Sequence, residues 1–536
     1  MLAAYRQWGQ KCVSRFNGMW AFALWDNEQR QLFCSRDHFG IKPFYYHRTT
    51  TRFVFASEIK AIQTYTPREM QPNWSVLSDF LVYGLVDHSR HTFFRDVDEL
   101  PPAHSMIMTA DSTQAHQYWH LDPVPTSGRG ATADEVATLG ALLADSVRIR
   151  LRSDVPVGTC LSGGMDSTTI AVLMDEIRQD AAGTALTPQR SYTACYDDAR
   201  YDERRYVKTL VGTRAVKPTY TYPDGAGLLA DLESLVWHQE MPFQSTSMYA
   251  QYCVMRAARQ DGTTVLLDGQ GADEILAGYP SYLGAYSASL LRAGQWARWA
   301  KEVRAYPVQP PATLPATFRA ALTYLLPQRI AQAWLRRARP LPAFVAPDLS
   351  RLASAYRAGE DASLDDPLAT TLYRAVMRQG LQCLLRYEDR NSMAFSIEAR
   401  LPFLDQRVVE FALRLPAGAK IEGGWTKAIL RKAMAGRLPD EIRLRREKMG
   451  FPTPEAAWLQ QGSRQWRREI MTQERIRQQG VLNWPEVDRW LAALEENVPG
   501  GGESELWRCI SVTLWLDRFF ASNGIRGNMG SNDSGT

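Results

Sequence analysis

Ser162-Gly163-Gly164-Met165-Asp166-Ser167 separates an apolar run, Val155 to Leu161, from a helix-like run, Thr168-Thr169-Ile170-Ala171-Val172-Leu173-Met174. The pattern predicts strand, glycine loop, helix. Such a junction turns unpaired backbone N–H groups and the positive end of a helix, roughly half an elementary charge, toward an anion. The two glycines permit close backbone approach, Ser162 and Ser167 add hydroxyl donors, and Asp166 is suited to a Mg²⁺ that bridges phosphates. The stretch reads as a polyphosphate cradle.

A Gly-Gly turn between strand and helix is by itself only a turn, so the whole hexapeptide in this setting carries the reading. No Gly-X4-Gly-Lys-Ser/Thr string occurs, which disfavours terminal-phosphate transfer by a P-loop. The hexapeptide instead resembles the loop of ATP pyrophosphatases, which cut ATP between its α and β phosphates and leave an adenylated substrate. Three further segments narrow the family. Val265-Leu266-Leu267-Asp268-Gly269-Gln270-Gly271-Ala272-Asp273-Glu274, ending in Gly278-Tyr279, is again a buried-looking strand, a glycine turn and acidic residues. Arg386-Tyr387-Glu388-Asp389-Arg390-Asn391-Ser392-Met393-Ala394 runs into Glu398-Ala399-Arg400-Leu401-Pro402-Phe403-Leu404-Asp405, with too few apolar positions for an ordinary core element. Arg446-Glu447-Lys448-Met449-Gly450-Phe451-Pro452 sets a lysine near a glycine, suited to a leaving pyrophosphate. Together these segments resemble the synthetase domain of the asparagine synthetase B family.

The N-terminal region is similar to the later part of that family's glutaminase domain, on Arg15 to Asp26, Ser35 to Tyr46 and Phe55 to Ala61. Read as residues alone, these are short amphipathic strands joined by turns, a scaffold rather than reacting groups. The resemblance implies an α/β fold: a partial Ntn-hydrolase-type αββα sandwich, then a parallel-sheet ATP pyrophosphatase domain with helical insertions. In the family, a cysteine after the initiator methionine attacks glutamine, with its own α-amino group as base. Here Leu2-Ala3-Ala4-Tyr5 follows Met1, and Cys12 and Cys34 fall in segments matched to other parts of the domain. The expectation is no glutaminase nucleophile, no glutamine hydrolysis by the chain as written, and poor solubility of a sandwich lacking strands.

The resemblance also implies the roles of residues. Leu161, Ser162, Gly163, Gly164, Asp166, Ser167, Ala194, Asp268 and Gly269 would contact ATP. Asp166 and Asp273 would hold Mg²⁺ and, with Lys448, stabilise departing pyrophosphate after the aspartate carboxylate attacks the α-phosphate. β-Aspartyl-AMP then meets ammonia. The family's second motif has Gly-Glu-Gly where this chain has Gly269-Gln270-Gly271, and that glutamate is tied to adenylate formation and deprotonation of ammonia. Glutamine is no base, so Gln270 can orient a substrate while another carboxylate takes the proton; Glu274 and Glu388 are candidates by nearness to the motifs. Loss of a general base costs roughly 10²–10⁴-fold, about 3–5 kcal/mol. Three activities stay open: asparagine formation from aspartate and ammonia, a specialised amide ligase akin to peptide macrolactam or β-lactam synthetases, and a non-catalytic truncated product.

Composition agrees with a multidomain enzyme. The 536 residues are 45% hydrophobic and 22% charged, enough for a large core and more than one domain. With 62 basic and 58 acidic residues, the net charge of +4 gives no reason to expect nucleic acid as a partner. Seven scattered cysteines show no CxxC pair, zinc spacing or disulfide framework, which points to a reducing cytoplasm. Neither a signal peptide nor a bilayer-spanning apolar run is present. The family resemblance leaves a homodimer open. Residues 1–121 are expected to form the amidotransferase-type domain, 122–132 a Pro/Gly/Ser/Thr linker, 133–521 the synthetase domain and 522–536 a disordered tail. From Val303 to Pro347 there is no Asp or Glu, while six arginines stand among aromatics. This segment reads as a helical excursion with a solvated basic face, with a membrane-surface or acidic-partner site as the alternative.

Overall fold

The computed structural model describes residues 1–67, 70–121, 128–182, 188–306, 313–327, 330–331, 341–353, 366–446, 450–460, 464–495 and 503–521. The proposed tail, most of the 122–132 linker and much of the basic segment lie outside these residues, as does Lys448.

The N-terminal part holds two antiparallel sheets. Strands β1 (Ala21–Asp26), β2 (Gln31–Arg36), β6 (His104–Met108) and β7 (Thr113–Gln117) pair in the order β1-β2-β6-β7, while β3 (Tyr45–Arg48) lies between β4 (Phe53–Ala56) and β5 (Val97–Glu99). Between them, Asp37 organises the turn after β2. Its carboxylate accepts the backbone N–H groups of Trp20 (3.2 Å), Phe39 (3.1 Å), Ile41 (3.0 Å) and Lys42 (3.0 Å). The segments read as scaffold do form strands and turns.

The second part is a parallel sheet of β8 (Val157–Cys160), β9 (Gln189–Ala194), β10 (Val216–Thr221), β11 (Val265–Leu267) and β12 (Glu398–Arg400), in the order β10-β9-β8-β11-β12. All four pairings are parallel. Helices connect successive strands, as parallel pairing demands. The helix Ala133–Arg150 starts where the sequence predicts, on a capping box in which Thr132 and Glu135 satisfy each other's backbone N–H groups. Because β9 and β10 extend the sheet to one side of β8 and β11 to the other, the order reverses between β8 and β11. A crevice opens beyond the carboxyl ends of strands at such a switch point.

The charged stretch 386–394 differs from its sequence expectation. It lies in a helix, Leu381–Met393, whose residues from Leu385 to Ser392 are all buried. Three of its charges are paired with side chains from distant segments. Arg386 pairs with Asp87 (2.8 Å), Asp389 with Lys42 (3.1 Å) and Arg390 with Glu240 (3.2 Å). A core helix need not be apolar when its charges are paired. Elsewhere the two parts share a hydrophobic core, in which Phe93 and Phe94 meet Trp515, and Phe94 also meets Phe519 and Phe520, of the last helix, Glu503–Phe520. Among the described residues, no helix is long and apolar enough to cross a membrane.

Candidate active site

The loop 162–167 follows β8, and the turn 268–271 follows β11, so both motifs stand at the switch point. Gly163 has φ +78°, and a Cβ there would lie 2.9 Å from Tyr206 Cβ and 3.1 Å from the Glu203 carbonyl oxygen. Only glycine lets the loop rest on the helix Arg204–Val211, which carries Tyr206 and which Glu203 precedes. The hydroxyl oxygens of Ser162 and Ser167, the expected donors to an anion, lie 3.0 Å apart, and Ser167 Oγ accepts the Ser162 N–H (3.2 Å). Their hydroxyls brace the loop itself.

The second turn packs against the first. A Cβ on Gly269 would stand 3.0 Å from Asp166 Cβ, and one on Gly271, at φ +91°, would stand 2.4 Å from Leu404 Cδ2. The cavity between the motifs is lined by Leu161, Ser162, Gly164, Asp166, Ser167, Ala194, Asp268, Gly269, Gln270 and Asp273. Tyr192, Met248, Gln251, Tyr279, Tyr387 and Phe451 complete much of the wall. Of the expected site residues among those described, Gly163, Glu274 and Glu388 are not in that wall.

Sequence reasoning missed Lys427. Its buried Nζ lies 2.5 Å from Asp166 Oδ2 and 2.6 Å from Asp273 Oδ1. One cation therefore spans the two carboxylates expected to bind Mg²⁺. That arrangement fits such an ion, which typically takes one or two protein carboxylates and completes its shell with water and phosphate oxygens. No group of three or more His, Cys, Asp or Glu able to hold a metal occurs among the described residues. In the sequence, Trp425-Thr426-Lys427-Ala428-Ile429-Leu430-Arg431 looks like the opening of an ordinary amphipathic helix, so no local signal marks the lysine.

The two candidate bases differ. Glu274 accepts the Tyr279 hydroxyl (2.7 Å); burial, then the Asp273 charge, pushes its carboxyl up to about 7. Glu388 is 2% exposed, and neither carboxyl oxygen has a hydrogen-bond donor among the described residues. Its neighbour is the Asp268 carboxyl in the cavity wall, itself beside the Cys160 thiol. Burial, then the Asp268 charge, raises Glu388 well above the usual carboxylate range, and burial also raises Asp268. Asp268 accepts the Gly269 backbone N–H, and two neighbouring buried carboxyls resist ionising together.

The Asparagine synthase family profile matches residues 138–517, and the Glutamine amidotransferase domain profile matches residues 1–119. The chain belongs to the asparagine synthase family. It is 28% identical over 508 residues to Asparagine synthetase [glutamine-hydrolyzing] 3 of Bacillus subtilis, covering 92% of this chain and 76% of that protein. Asparagine synthetase [glutamine-hydrolyzing] 1 of the same organism is 26% identical over 530 residues, 96% of this chain and 80% of that protein. Amidase chyE of Penicillium rubens is 26% identical over 537 residues, 90% of this chain and 76% of that protein. As a member of the family, this synthase-type chain is a carbon–nitrogen ligase with an ATP pyrophosphatase domain.

Proposed function

We propose that this chain converts aspartate to asparagine through β-aspartyl-AMP, releasing AMP and pyrophosphate, with ammonia as nitrogen source for the chain as it stands. The loop 162–167 and the turn 268–271 border one cavity, and Lys427 bridges the Asp166 and Asp273 carboxylates of its wall; that meeting carries the proposal. Leu161, Ala194, Asp268 and Gly269 line the nucleotide's place, while the loop 162–167 offers the helix N-terminus to its phosphates. Asp166 and Asp273 would hold Mg²⁺, which when bound would supply charge neutralisation at the phosphates. Lys427, together with Lys448, adds positive charge where pyrophosphate departs.

Gln270 presents an amide on the cavity wall and orients the acyl substrate. The Asp268–Glu388 pair, rather than Glu274, accepts the proton from the attacking nitrogen, because Asp268 borders the cavity while Glu274 is outside its wall and already accepts the hydroxyl of the wall residue Tyr279. Ammonia is favoured because neither cysteine of the N-terminal part is set up to attack: Cys12 and Cys34 are buried, and burial raises both thiols, Cys34 to about 12. All seven cysteines are free thiols, which supports a reducing, cytoplasmic setting. We assign residues 1–121 to the amidotransferase-type part and 133–521 to the synthase part.

One observation favours a second reading. With glutamine at position 270 and amidases among the similar proteins, a different acyl substrate for the same adenylating chemistry is the alternative. Pyrophosphate release with ATP, Mg²⁺ and aspartate, with ammonium or glutamine added and asparagine quantified by mass, separates the two. Asparagine from ammonium alone supports the first; no pyrophosphate with aspartate refutes it and leaves the second.

A further inference from the structure

Lys427 stands where a divalent ion would, and the backbone is shaped to keep it there. The residue has φ +53°, a left-handed conformation uncommon for a side chain of this kind, at the start of the helix Ala428–Ala433. Opposite it, Gly278 leaves no room for any other residue: a Cβ would fall 1.7 Å from Asp273 Oδ1 and 2.3 Å from Lys427 Cε. Two special backbone positions, 149 residues apart, thus bring one ammonium between Asp166 and Asp273. An ion pair serving stability alone needs no such convergence on the two carboxylates that face the phosphate loop.

The protein's own ligand set is also incomplete. With two carboxylates and no third His, Cys, Asp or Glu among the described residues, a metal needs phosphate oxygens to fill its shell. Until they arrive, it must displace a tethered cation already in contact with both carboxylates. We propose that Lys427 is a built-in counter-cation in the divalent position before nucleotide binds, so that metal enters only together with the nucleotide. On entry, the ammonium leaves the carboxylates for the phosphate oxygens. This rests on the assignment of Asp166 and Asp273 as the Mg²⁺ carboxylates. Its consequence is an order of binding: the enzyme ignores free divalent ion and takes the metal–nucleotide complex.

The test is direct binding of Mn²⁺, followed by electron paramagnetic resonance, to the full chain with and without α,β-methylene-ATP, which cannot be cleaved at the α–β position. For the native chain, the analogue is expected to raise Mn²⁺ affinity about tenfold or more beyond what the free analogue holds. In Lys427→Met, affinity without the analogue is expected to rise about tenfold or more, because a contacting like charge is gone, and the gain from the analogue is expected to shrink. Equal or weaker Mn²⁺ binding by a folded Lys427→Met protein overturns the proposal. So does native binding that the analogue leaves unchanged, a comparison that holds even if the variant fails to fold. Failure of the native chain to take up Mn²⁺ under either condition removes the two-carboxylate metal assignment itself, and this proposal with it.

Discussion

Asp166 and Asp273 reach the cavity from separate motifs and meet through Lys427, so single changes there have separable effects. Asp166→Asn keeps the side chain's shape but removes the charge that holds the ammonium and, in the proposed function, would hold the metal. Pyrophosphate release is expected to fall roughly 10²–10³-fold, with the melting temperature close to that of the native chain. Gly278→Ala acts differently. The added methyl collides with Asp273 and Lys427, and overpacking of this kind costs about 1–3 kcal/mol. Urea unfolding is expected to show that loss as a lower midpoint with an unchanged slope. The glycines at 163, 269 and 271 stood out in the sequence because they sit inside recognisable turns; Gly278, quoted there only as the end of a motif, takes its meaning from a lysine much later in the chain.

At the level of elements, the helix Leu381–Met393 is buried although its sequence is rich in charge. Apolar periodicity reports burial only where burial is hydrophobic. This helix is buried through polar contacts instead: Asn391 donates to the Met248 carbonyl (3.0 Å) and to Gln251 Oε1 (2.9 Å), and Arg390 donates to the Ser57 carbonyl (2.7 Å). Their partners lie far along the chain and are invisible to a local window. Arg390→Met leaves the fully buried Glu240 carboxylate without its guanidinium and is expected to cost about 3 kcal/mol. Adding Glu240→Gln in the same chain is expected to recover part of that loss, as read by urea denaturation of both variants. The helix also runs from the Lys42 pair to the Asp268–Glu388 pair, so one rigid element touches both the N-terminal sheets and the cavity wall.

Across the whole molecule, the N-terminal sheets and the synthase part are joined by shared charges as well as by a shared core. Asp405 accepts hydrogen bonds from Asn17 Nδ2, Arg150 and Arg407, each at 3.0 Å. Burial alone would raise its carboxyl, but the Arg407 hydrogen bond and the Arg150 charge outweigh it and hold the group at about 2. A carboxyl lowered on folding stabilises the native state above its unfolded value of 3.8, and that stabilisation is lost as pH falls through about 2. It amounts to about 2 kcal/mol. Asp405→Asn is therefore expected to be destabilised by about that much at pH 7, with the gap to the native chain closing as the pH of the urea titrations approaches 2.

Some of this protein was settled by sequence alone and some only by its tertiary arrangement. The hexapeptide 162–167, the turn 268–271 and the helix start at Ala133 were legible because each is built from contiguous residues whose backbone needs are local: glycine conformations, a capping box, the exposed end of a helix. That Gln270 faces the cavity, that Glu388 abuts Asp268 and stands behind the wall, and that Lys427 spans two carboxylates were not legible. Each depends on pairing β8 beside β11 and on packing segments far apart in the chain. Contact between distant residues is set by the sheet order and by the matching of buried charges, and neither leaves a mark in any short stretch of sequence.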